Sequence, residues 1–247
     1  MEFIASYKLR KILVSKNKIE LAENFLELIE ESLLNVKDRN ITIALSGGST
    51  PKDLFQIIAK DYSAKLDWNR VNFFWGDERC VSPNNDESNY KMANESLLKP
   101  LNIAEENIFR IKGEVNPDEE KNNYQKLISE KVYLENNIPC FDIMLLGMGE
   151  DGHTASIFPN QIELFNSNNY CEVAVHPDSF QKRITLTGRV INNSKVIIFL
   201  ITGKSKSSVV AEILKKSDES KKYPASLVKN ENGKLIWLLD KDSASLL

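Results

Sequence analysis

Four apolar segments, each leading through a polar or glycine-containing loop toward a helical pattern, constrain the fold of this chain more than any other feature. Strands that are apolar throughout and alternate with helices indicate a parallel sheet covered by helices on both faces. Ligands of such sheets bind at the carboxyl ends of the strands. The four units are ITIALSGGSTPKDLFQIIAK (41–60), VNFFWGDERC (71–80) before a helix near 88–98, FDIMLLGMGEDGH (141–153) and SKVIIFLITGKSKSSVVAEILKK (194–216).

The remaining sequence fits a single α/β domain over residues 1–247. Apolar residues recur at helical spacing in KIELAENFLELIEESLL and predict an amphipathic first helix. NPDEEKNNYQKLISEKVYLENN predicts a surface helix that Asn116 caps. The chain of 247 residues is long enough for one large core, and neither repeats nor linker-like composition divide it.

The charge balance argues against a nucleic-acid partner. The formal net charge is -3, whereas nucleic-acid binders normally carry a basic excess or stripe. The densest lysine cluster is interleaved with acids and fits a solvated helix end. It comprises Lys215, Lys216, Lys221 and Lys222, with Asp218 and Glu219 between them.

The sequence predicts neither secretion nor a membrane span. The three cysteines are widely separated and lack C-x-x-C spacing, as expected of reduced thiols. The longest apolar run, VIIFLI (196–201), has six residues, far fewer than the roughly 20 that span a bilayer. Charges at Glu2, Lys8, Arg10 and Lys11 leave no signal core. We therefore expect a cytoplasmic protein without a membrane partner.

Gly147, Gly149 and Gly152 have the G-x-G-x-x-G spacing of a dinucleotide-binding loop, but the surrounding chemistry argues against one. In a dinucleotide fold the third glycine opens a long helix, whereas Pro159 would limit this helix to about two turns. Two consecutive carboxylates, the first of them Glu150, also lie where a pyrophosphate would bind. We expect the glycines instead to bring the backbone close to a ligand.

His153 is one of two histidines and closely follows Asp151. A lone histidine is more often a surface or helix-cap residue, but the end of a parallel strand is where sites are built. An imidazole beside a carboxylate suits acid-base chemistry. His176, next to Pro177, lacks such a setting and is predicted to be a turn residue.

The segment LSGGSTP (45–51) has the composition of a phosphate-binding loop without the Walker lysine. Its glycines free backbone amides, its hydroxyls add donors, and a helix capped by Thr50 with Pro51 in its first turn directs its positive end at the ligand. A tight, well-capped turn would explain the same residues. Cations in other loops favour the anion site, although each alone fits a surface charge: Arg79, Arg183, Lys204 and Lys206.

The segment FFWGDERC places Asp77, Glu78 and Arg79 at the end of the second parallel strand. An ionised carboxylate at this position could bind sugar hydroxyls or act as a base. A simple ion pair with Arg79 is the alternative.

Five motifs, spanning roughly residues 41–206, resemble those of the superfamily of 6-phosphogluconolactonases and glucosamine-6-phosphate deaminases. GMGEDGHTASIFP is the most specific of them. The resemblance implies a Rossmann-like, doubly wound and mostly parallel α/β fold, no metal or other cofactor, and a small phosphosugar lactone as the partner molecule. The motifs are ALSGGSTP, FFWGDER with the downstream SNY, FDIMLLGMGEDGHTASIFP, RITLTG and ITGKSK.

The lactonase branch implies hydrolysis of 6-phospho-D-glucono-1,5-lactone to 6-phosphogluconate in the oxidative pentose phosphate pathway. We expect neutral His153 to take a proton from the attacking water, while Asp151 or Asp77 orients the imidazole. The resemblance also implies a set of residues that bind the phosphate: the loop Gly47, Gly48, Ser49 and Thr50, together with Arg183 and Lys206, with Arg79 close by. Lys204 is an alternative to Lys206 as a phosphate ligand.

Two other functions compete with lactone hydrolysis. Deaminases of the superfamily typically carry a glutamate before the proline that follows D-G-H, whereas this chain has Phe158 there; the missing acid favours ester hydrolysis. A non-catalytic sugar-phosphate-binding module of a transcription regulator would need a DNA-reading element, and only about 40 residues precede the first core strand. The sequence leaves the oligomeric state open, and a monomer or weak dimer is expected.

Overall fold

The computed structural model describes residues 6–7, 10–230 and 233–247. The N-terminal charges Glu2 and Lys8 lie outside these ranges. The strands are β1 (Ser6–Tyr7), β2 (Arg10–Ser15), β3 (Ile41–Leu45), β4 (Val71–Trp75), β5 (Asp77–Arg79), β6 (Leu134–Glu135), β7 (Ile138–Pro139), β8 (Ile143–Leu146), β9 (Cys171–Val175), β10 (Lys182–Leu186), β11 (Val196–Ile201) and β12 (Lys234–Asp240). The α-helices are α1 (Lys18–Asn35), α2 (Ser49–Asp61), α3 (Asn89–Ala93), α4 (Pro117–Lys131), α5 (Gly188–Ile191) and α6 (Ser207–Leu214).

A mostly parallel sheet forms the centre of the fold. Its strand order is β1-β2-β12-β11-β8-β3-β4, and every described pairing except the antiparallel β1-β2 edge is parallel. β3 and β8 are buried along their whole length, as expected of strands covered on both faces. The predicted parallel α/β architecture is confirmed.

The order of the strands creates a switch point between β3 and β8. From β3 the chain continues through α2 to β4 on one side, whereas from β8 it reaches β11 and then β12 on the other side. The loops that leave β3 and β8 therefore diverge and open a crevice at the carboxyl edge of the sheet. Ligands of open α/β sheets bind in such crevices.

The helices follow the predicted patterns. α1 buries Leu21, Phe25, Ile29 and Leu33 along one face, because residues three and four apart lie on the same side of a helix. α4 begins at Pro117, and the Asn116 side chain accepts hydrogen bonds from the amides of the first turn. The predicted helix after GDER begins at Asn89 and runs to Leu98, with a change to wider winding in its second half.

The start of α2 differs from the prediction. Gly48, not Thr50, occupies the N-cap position, and the helix begins at Ser49 without a side-chain cap. The Thr50 hydroxyl instead shares a hydrogen bond of 2.7 Å with the hydroxyl of Thr202. A tertiary partner from the loop after β11 thus replaces the local cap.

A small antiparallel sheet lies beside the carboxyl edge of the central sheet. Its order is β5-β10-β9, so the residues after Gly76 leave the parallel sheet and pair with β10. The Gly76 carbonyl accepts a hydrogen bond from the Leu186 amide, and the Gly76 amide donates to the Leu45 carbonyl. Gly76 therefore joins the two sheets, and β5 and β10 reach over the crevice.

The structure also agrees with the predictions for the longest apolar run, for the cysteines and for His176. The VIIFLI run forms β11 and is buried except at its first residue, and the three cysteines are free thiols. The His176 ring nitrogen Nδ1 accepts hydrogen bonds from the amides of Asp178 and Ser179, so His176 is the predicted turn residue. Within the described ranges, no helix combines the length and the apolar character of a membrane span.

Candidate active site

A cleft at the β3/β8 switch point collects most of the residues that the sequence singles out. Loops from β3, β8 and β11 form its floor, and β5 and β10 form one wall. The lining side chains and backbone segments belong to Ser46, Gly47, Gly48, Ser49, Thr50, Pro51, Asp77, Arg79, Asn89, Gly147, Met148, Gly149, His153, Ala155, Arg183, Leu200, Ile201, Thr202 and Lys206.

The loop after β3 owes its shape to two glycines with different roles. Gly48 has φ +104° and open space where a Cβ would lie, so its backbone conformation is what requires glycine. At Gly47, a Cβ would lie 1.8 Å from the Asn89 side-chain oxygen. Gly47 is therefore needed because the Asn89 amide packs directly on the loop.

His153 forms the predicted pair with Asp151. Its Nδ1 lies 2.6 Å from the Asp151 carboxylate oxygen Oδ1, which also accepts a hydrogen bond of 3.1 Å from the His153 amide. Burial raises the pKa of Asp151, but the hydrogen bond and the charge of His153 outweigh it and hold that pKa below its usual value. The ionised Asp151 favours a proton on Nδ1 and leaves Nε2 as the nitrogen that can accept one.

Gly149 and Gly152 are required by the packing of the loop itself. Gly147 and Gly149 also line the cleft, so the expectation that the glycines bring the backbone close to a ligand stays a prediction. A Cβ at Gly149 would lie 2.2 Å from His153 Nδ1 and 2.3 Å from the Asp151 carboxylate. Gly152 has φ +77°, and its Cβ would meet the Tyr223 ring at 2.3 Å. The turn of this loop is tight enough that His153, Asp151 and Tyr223 fill the space beside the glycines.

A dinucleotide function does not fit this loop. Thr154 and Ile157 form an isolated antiparallel bridge, and a 3-10 helix begins only at Pro159. The long helix that would bind a pyrophosphate is missing between Gly152 and Pro159. The glycine spacing of this loop matches the dinucleotide motif, but its backbone does not.

Asp77 and Glu78 face opposite sides of β5. Asp77 is 5% exposed, lines the cleft, and accepts a hydrogen bond of 2.6 Å from the Ser156 hydroxyl. Glu78 accepts hydrogen bonds from the Asn89 and Tyr90 amides and from the Ser88 hydroxyl. Among the described residues, no ion pair joins either acid to Arg79, so that alternative is not supported.

Glu78 is a structural acid. Burial raises its pKa, while hydrogen bonds from the amides of Tyr90, Asn89 and Arg79 oppose that rise. Its carboxylate holds the first turn of α3 against β5. This anchoring places Asn89, whose side-chain amide donates a hydrogen bond of 2.9 Å to the Asp77 carbonyl, beside the loop after β3.

Three cations reach the cleft from different elements. Arg79 and Arg183 are direct cross-strand partners on β5 and β10, an arrangement in which like charges repel. Burial lowers the pKa of Arg183, the charge of Asp77 raises it, and the charge of Arg79 lowers it further. Burial also lowers the pKa of Lys206, against the raising effect of Glu150, whose carboxylate lies 4.0 Å from the ammonium. An anion bound between these cations would offset both the repulsion between the two arginines and the cost of burying the positive charges.

The structure separates Lys204 from Lys206. Lys206 lines the cleft, whereas Lys204 is exposed and lies outside the lining. The preceding Gly203 has φ +95°, and its amide donates to both carboxylate oxygens of Asp240 at 3.1 and 3.0 Å. This anchor at the end of β12 fixes the loop that presents Lys206.

Sequence reasoning missed several residues that line or support the cleft. Asn89 and Ser156 are polar side chains whose roles depend on partners from distant segments. Ala155 lines the cleft with φ +48°, a conformation that few residues other than glycine adopt. The SNY motif contains Asn89 and the GMGEDGHTASIFP motif contains Ala155 and Ser156, but neither motif by itself indicates what these residues contact.

No metal site accompanies these groups in the part of the chain that is described. Within residues 6–7, 10–230 and 233–247, no group of three or more histidine, cysteine, aspartate and glutamate side chains lies close enough to bind a metal ion.

Fold and cleft together define an α/β enzyme in which a histidine–aspartate pair lies near a cluster of cations. A family model described as glucosamine-6-phosphate isomerases/6-phosphogluconolactonase matches residues 16–237. The chain belongs to this family.

Individual relatives agree with the family match. The chain is 44% identical over 189 residues to the 6-phosphogluconolactonase of Treponema pallidum, covering 76% of this chain and 78% of that protein. The crystal structure of the devB protein superimposes with a TM-score of 0.89 at 35% identity, covering 96% of this chain and 99% of that one. The 6-phosphogluconolactonase from Trypanosoma brucei superimposes with a TM-score of 0.85 at 31% identity, covering 98% and 100%.

Proposed function

We propose that this protein hydrolyses 6-phospho-D-glucono-1,5-lactone to 6-phosphogluconate, the activity that the names of its relatives describe. The observation that carries the proposal is one cleft lined both by His153, which is paired with Asp151, and by a separate cluster of cations. The substrate has the same two parts, a cyclic ester and a phosphate at its far end.

His153 is the general base of this proposal. With its Nδ1 proton directed at Asp151, the Nε2 lone pair accepts a proton from water as the water oxygen attacks the lactone carbonyl. The tetrahedral intermediate then expels the ring oxygen, which takes the proton from the imidazolium. The ionised Asp151 stabilises that imidazolium. General-base assistance of this kind contributes about 10²- to 10⁴-fold to the rate.

The phosphate is bound by the cations and by the start of α2. The first amides of a helix have no hydrogen-bond partner within the helix. The positive end of the helix dipole lies at the same place and favours an anion. Gly47, Gly48, Ser49 and Thr50 present this end to the cleft. The side chains of Arg79, Arg183 and Lys206 supply the compensating charge.

Asp77 binds the sugar ring in this proposal and does not orient the base. The Asp151 carboxylate already bonds His153, whereas Asp77 Oδ2 accepts the Ser156 hydroxyl. A buried carboxylate held in this way has further lone pairs for substrate hydroxyls. Asp77 also offsets the charge of Arg183.

The deaminase alternative has less support. Phe158 is 1% exposed and its ring contacts the ring of His153. The position where deaminases carry an additional acid therefore holds an apolar group against the base. Release of ammonia from glucosamine 6-phosphate would favour deamination.

A coupled assay on freshly prepared 6-phosphogluconolactone tests the proposal, with the spontaneous rate of opening subtracted. His153→Ala should lower kcat about 10²-fold or more with a smaller effect on KM. Arg183→Ala should mainly raise KM, since it removes a phosphate contact that exists before the reaction. Absence of a rate above the blank would overturn the lactonase assignment, and wild-type turnover by His153→Ala would overturn the role of His153.

A further inference from the structure

The ring of Phe158 contacts side chains on both sides of the cleft from behind it. Its centroid lies 4.9 Å from that of His153 and 5.1 Å from that of His176, which meets it edge-on. The guanidinium carbon of Arg183 lies 5.5 Å from the same centroid. Phe158 is 1% exposed and does not line the cleft, so it does not touch a ligand there.

We propose that Phe158 is a positioning residue that fixes the spacing between the base His153 and the phosphate ligand Arg183. This inference rests on the proposed function. It assigns to Phe158 a role in the reaction beyond filling the core.

The two side chains need such a connection because they belong to different elements. His153 lies in the loop after β8 and its bond to Asp151 orients it only within that loop, whereas Arg183 lies on β10 in the small sheet. The lactone carbonyl and the phosphate of one substrate molecule are a fixed distance apart. A misplacement of about 1 Å in such an arrangement can cost about 10²-fold in rate. A rigid ring between the two side chains holds their distance better than a flexible aliphatic group.

Arg183 also depends on the ring electronically. Arg79 lies directly opposite on β5 and repels it, and among the described residues its buried Nε has no hydrogen-bond partner. The face of an aromatic ring attracts a guanidinium, most strongly where water is excluded. Phe158 therefore supplies an interaction that holds the Arg183 head group toward the cleft when no anion is bound.

The backbone of Phe158 is itself restrained. Its carbonyl accepts a hydrogen bond of 2.9 Å from the Gln161 amide, and the amide of the preceding Ile157 donates to the Thr154 carbonyl at 2.9 Å. The Gln161 side chain in turn accepts a hydrogen bond of 3.0 Å from the Val175 amide on β9. The backbone that carries the ring is thus connected to the loop after β8 and, through Gln161, to β9, the strand that pairs with β10.

Three variants separate positioning from packing. Phe158→Leu removes the ring, Phe158→Tyr retains it, and Phe141→Leu is a matched control. Phe141 is fully buried and packs edge-on against Phe74, just before the start of β8 and hence at the end of the sheet opposite the cleft. The readouts are kcat and KM on the lactone, calorimetric binding of inorganic phosphate, thermal unfolding, and the imidazole NMR signals. The chain has two histidines, and both contact Phe158.

Phe158→Leu should weaken phosphate binding about 5- to 30-fold, as expected from loss of a desolvated cation–π contact. It should also lower kcat and shift both sets of imidazole signals. Phe158→Tyr should remain close to wild type, and Phe141→Leu should lose thermal stability alone. If Phe158→Leu does not fold, Phe158→Met repeats the comparison with a larger side chain.

The proposal is overturned if Phe158→Leu binds phosphate and turns over the lactone like Phe141→Leu at equal loss of stability. A failure of the proposed function looks different. In that case the wild type would not hydrolyse the lactone, while phosphate binding and the imidazole signals would still report the contacts of Phe158.

Discussion

At the scale of single residues, the short hydrogen bond between His153 Nδ1 and Asp151 leaves Nε2 as the nitrogen that would act as the base in the proposed mechanism. An aspartate two residues before the histidine can form this bond because Gly149 lies where any side chain would collide with the pair. The sequence left Asp151 and Asp77 as alternatives. In the structure the Asp151 carboxylate bonds the His153 imidazole, whereas the Asp77 carboxylate accepts a hydrogen bond from the Ser156 hydroxyl.

Asp151→Asn should therefore lower kcat about 10²-fold or more and change KM little. The amide no longer favours the Nδ1 proton, nor does it stabilise the imidazolium that forms in the transition state. Steady-state kinetics on the lactone measure the effect, and an unchanged circular dichroism spectrum is the control for folding. A variant with nearly normal kcat would show that Asp151 does not orient His153.

At the scale of elements, the cleft depends on how loops from separate strands contact one another. Gly47 lies in the loop after β3 and Asn89 begins α3, yet the Asn89 side-chain amide packs on the Gly47 backbone and donates a hydrogen bond to the Asp77 carbonyl. Glu78 holds the start of α3 in place through the amides it binds. The loop after β3 is consequently shaped by an element that follows it by about 40 residues in the chain.

Gly47→Ala should raise KM for the lactone about tenfold, because its Cβ would lie 1.8 Å from the Asn89 oxygen and one of the two groups must move. Loss of about 1.4 kcal/mol of binding corresponds to this factor. The double variant Gly47→Ala/Asn89→Ala tests the cause. If the collision is responsible, the effects of the two changes are not additive; additive effects would contradict this explanation.

At the scale of the whole molecule, the two ends of the parallel strands contribute differently, one to the site and the other to stability. The cleft lies at the carboxyl edge, whereas a buried charge network lies at the amino edge of β3 and β8. Asp142 has a side chain only 1% exposed and accepts hydrogen bonds from Arg39, Lys195 and the Thr42 amide at 2.7 to 3.0 Å. It joins the start of β8 to β3 and to the segment before β11.

Asp142→Asn should lower the free energy of unfolding at pH 7 by about 2 kcal/mol. Removing one partner of a buried pair costs about 3 to 5 kcal/mol, but Arg39 and Lys195 are partly exposed and solvent reduces the loss. Urea unfolding measures the difference. Since Asp142 is remote from the cleft, kcat should not change, and a large loss of activity in a folded variant would contradict this division of tasks.

The same substitution predicts a pH dependence. Burial raises the pKa of Asp142, but hydrogen bonds from Arg39, Thr42 and Lys195 hold it below its usual value. The contribution of Asp142 to stability is therefore complete above the unfolded pKa of about 3.9 and is lost as the pH falls through the lower folded value. The stability gap between wild type and Asp142→Asn should narrow over this acidic window in urea unfolding. A gap that stays constant to pH 3 would exclude the carboxylate as its source.

Much of the fold could be predicted because local patterns specify it. The fully apolar runs at β3, β8 and β11 indicate buried parallel strands, and the spacing in α1 indicates the face it buries. The prediction that Thr50 caps α2 was wrong, because the Thr50 hydroxyl hydrogen-bonds the hydroxyl of Thr202, a partner that local sequence does not reveal. The packing role of Gly149 and Gly152 could not be predicted, because a glycine spacing does not show which side chain fills the space beside it.

By itself, the sequence determined the parallel α/β sheet, the edge where its loops gather, and the residue types available there. These properties depend on hydrophobic period, turn chemistry and neighbouring residues, all of which act over short distances along the chain. Tertiary structure alone decided that Asp151 and not Asp77 meets His153, that Lys206 and not Lys204 enters the cleft, and that Phe158 lies between His153 and Arg183. Some of these contacts are between near neighbours in the chain and others join distant segments, but each depends on a loop or strand whose position only the packing of the complete sheet sets.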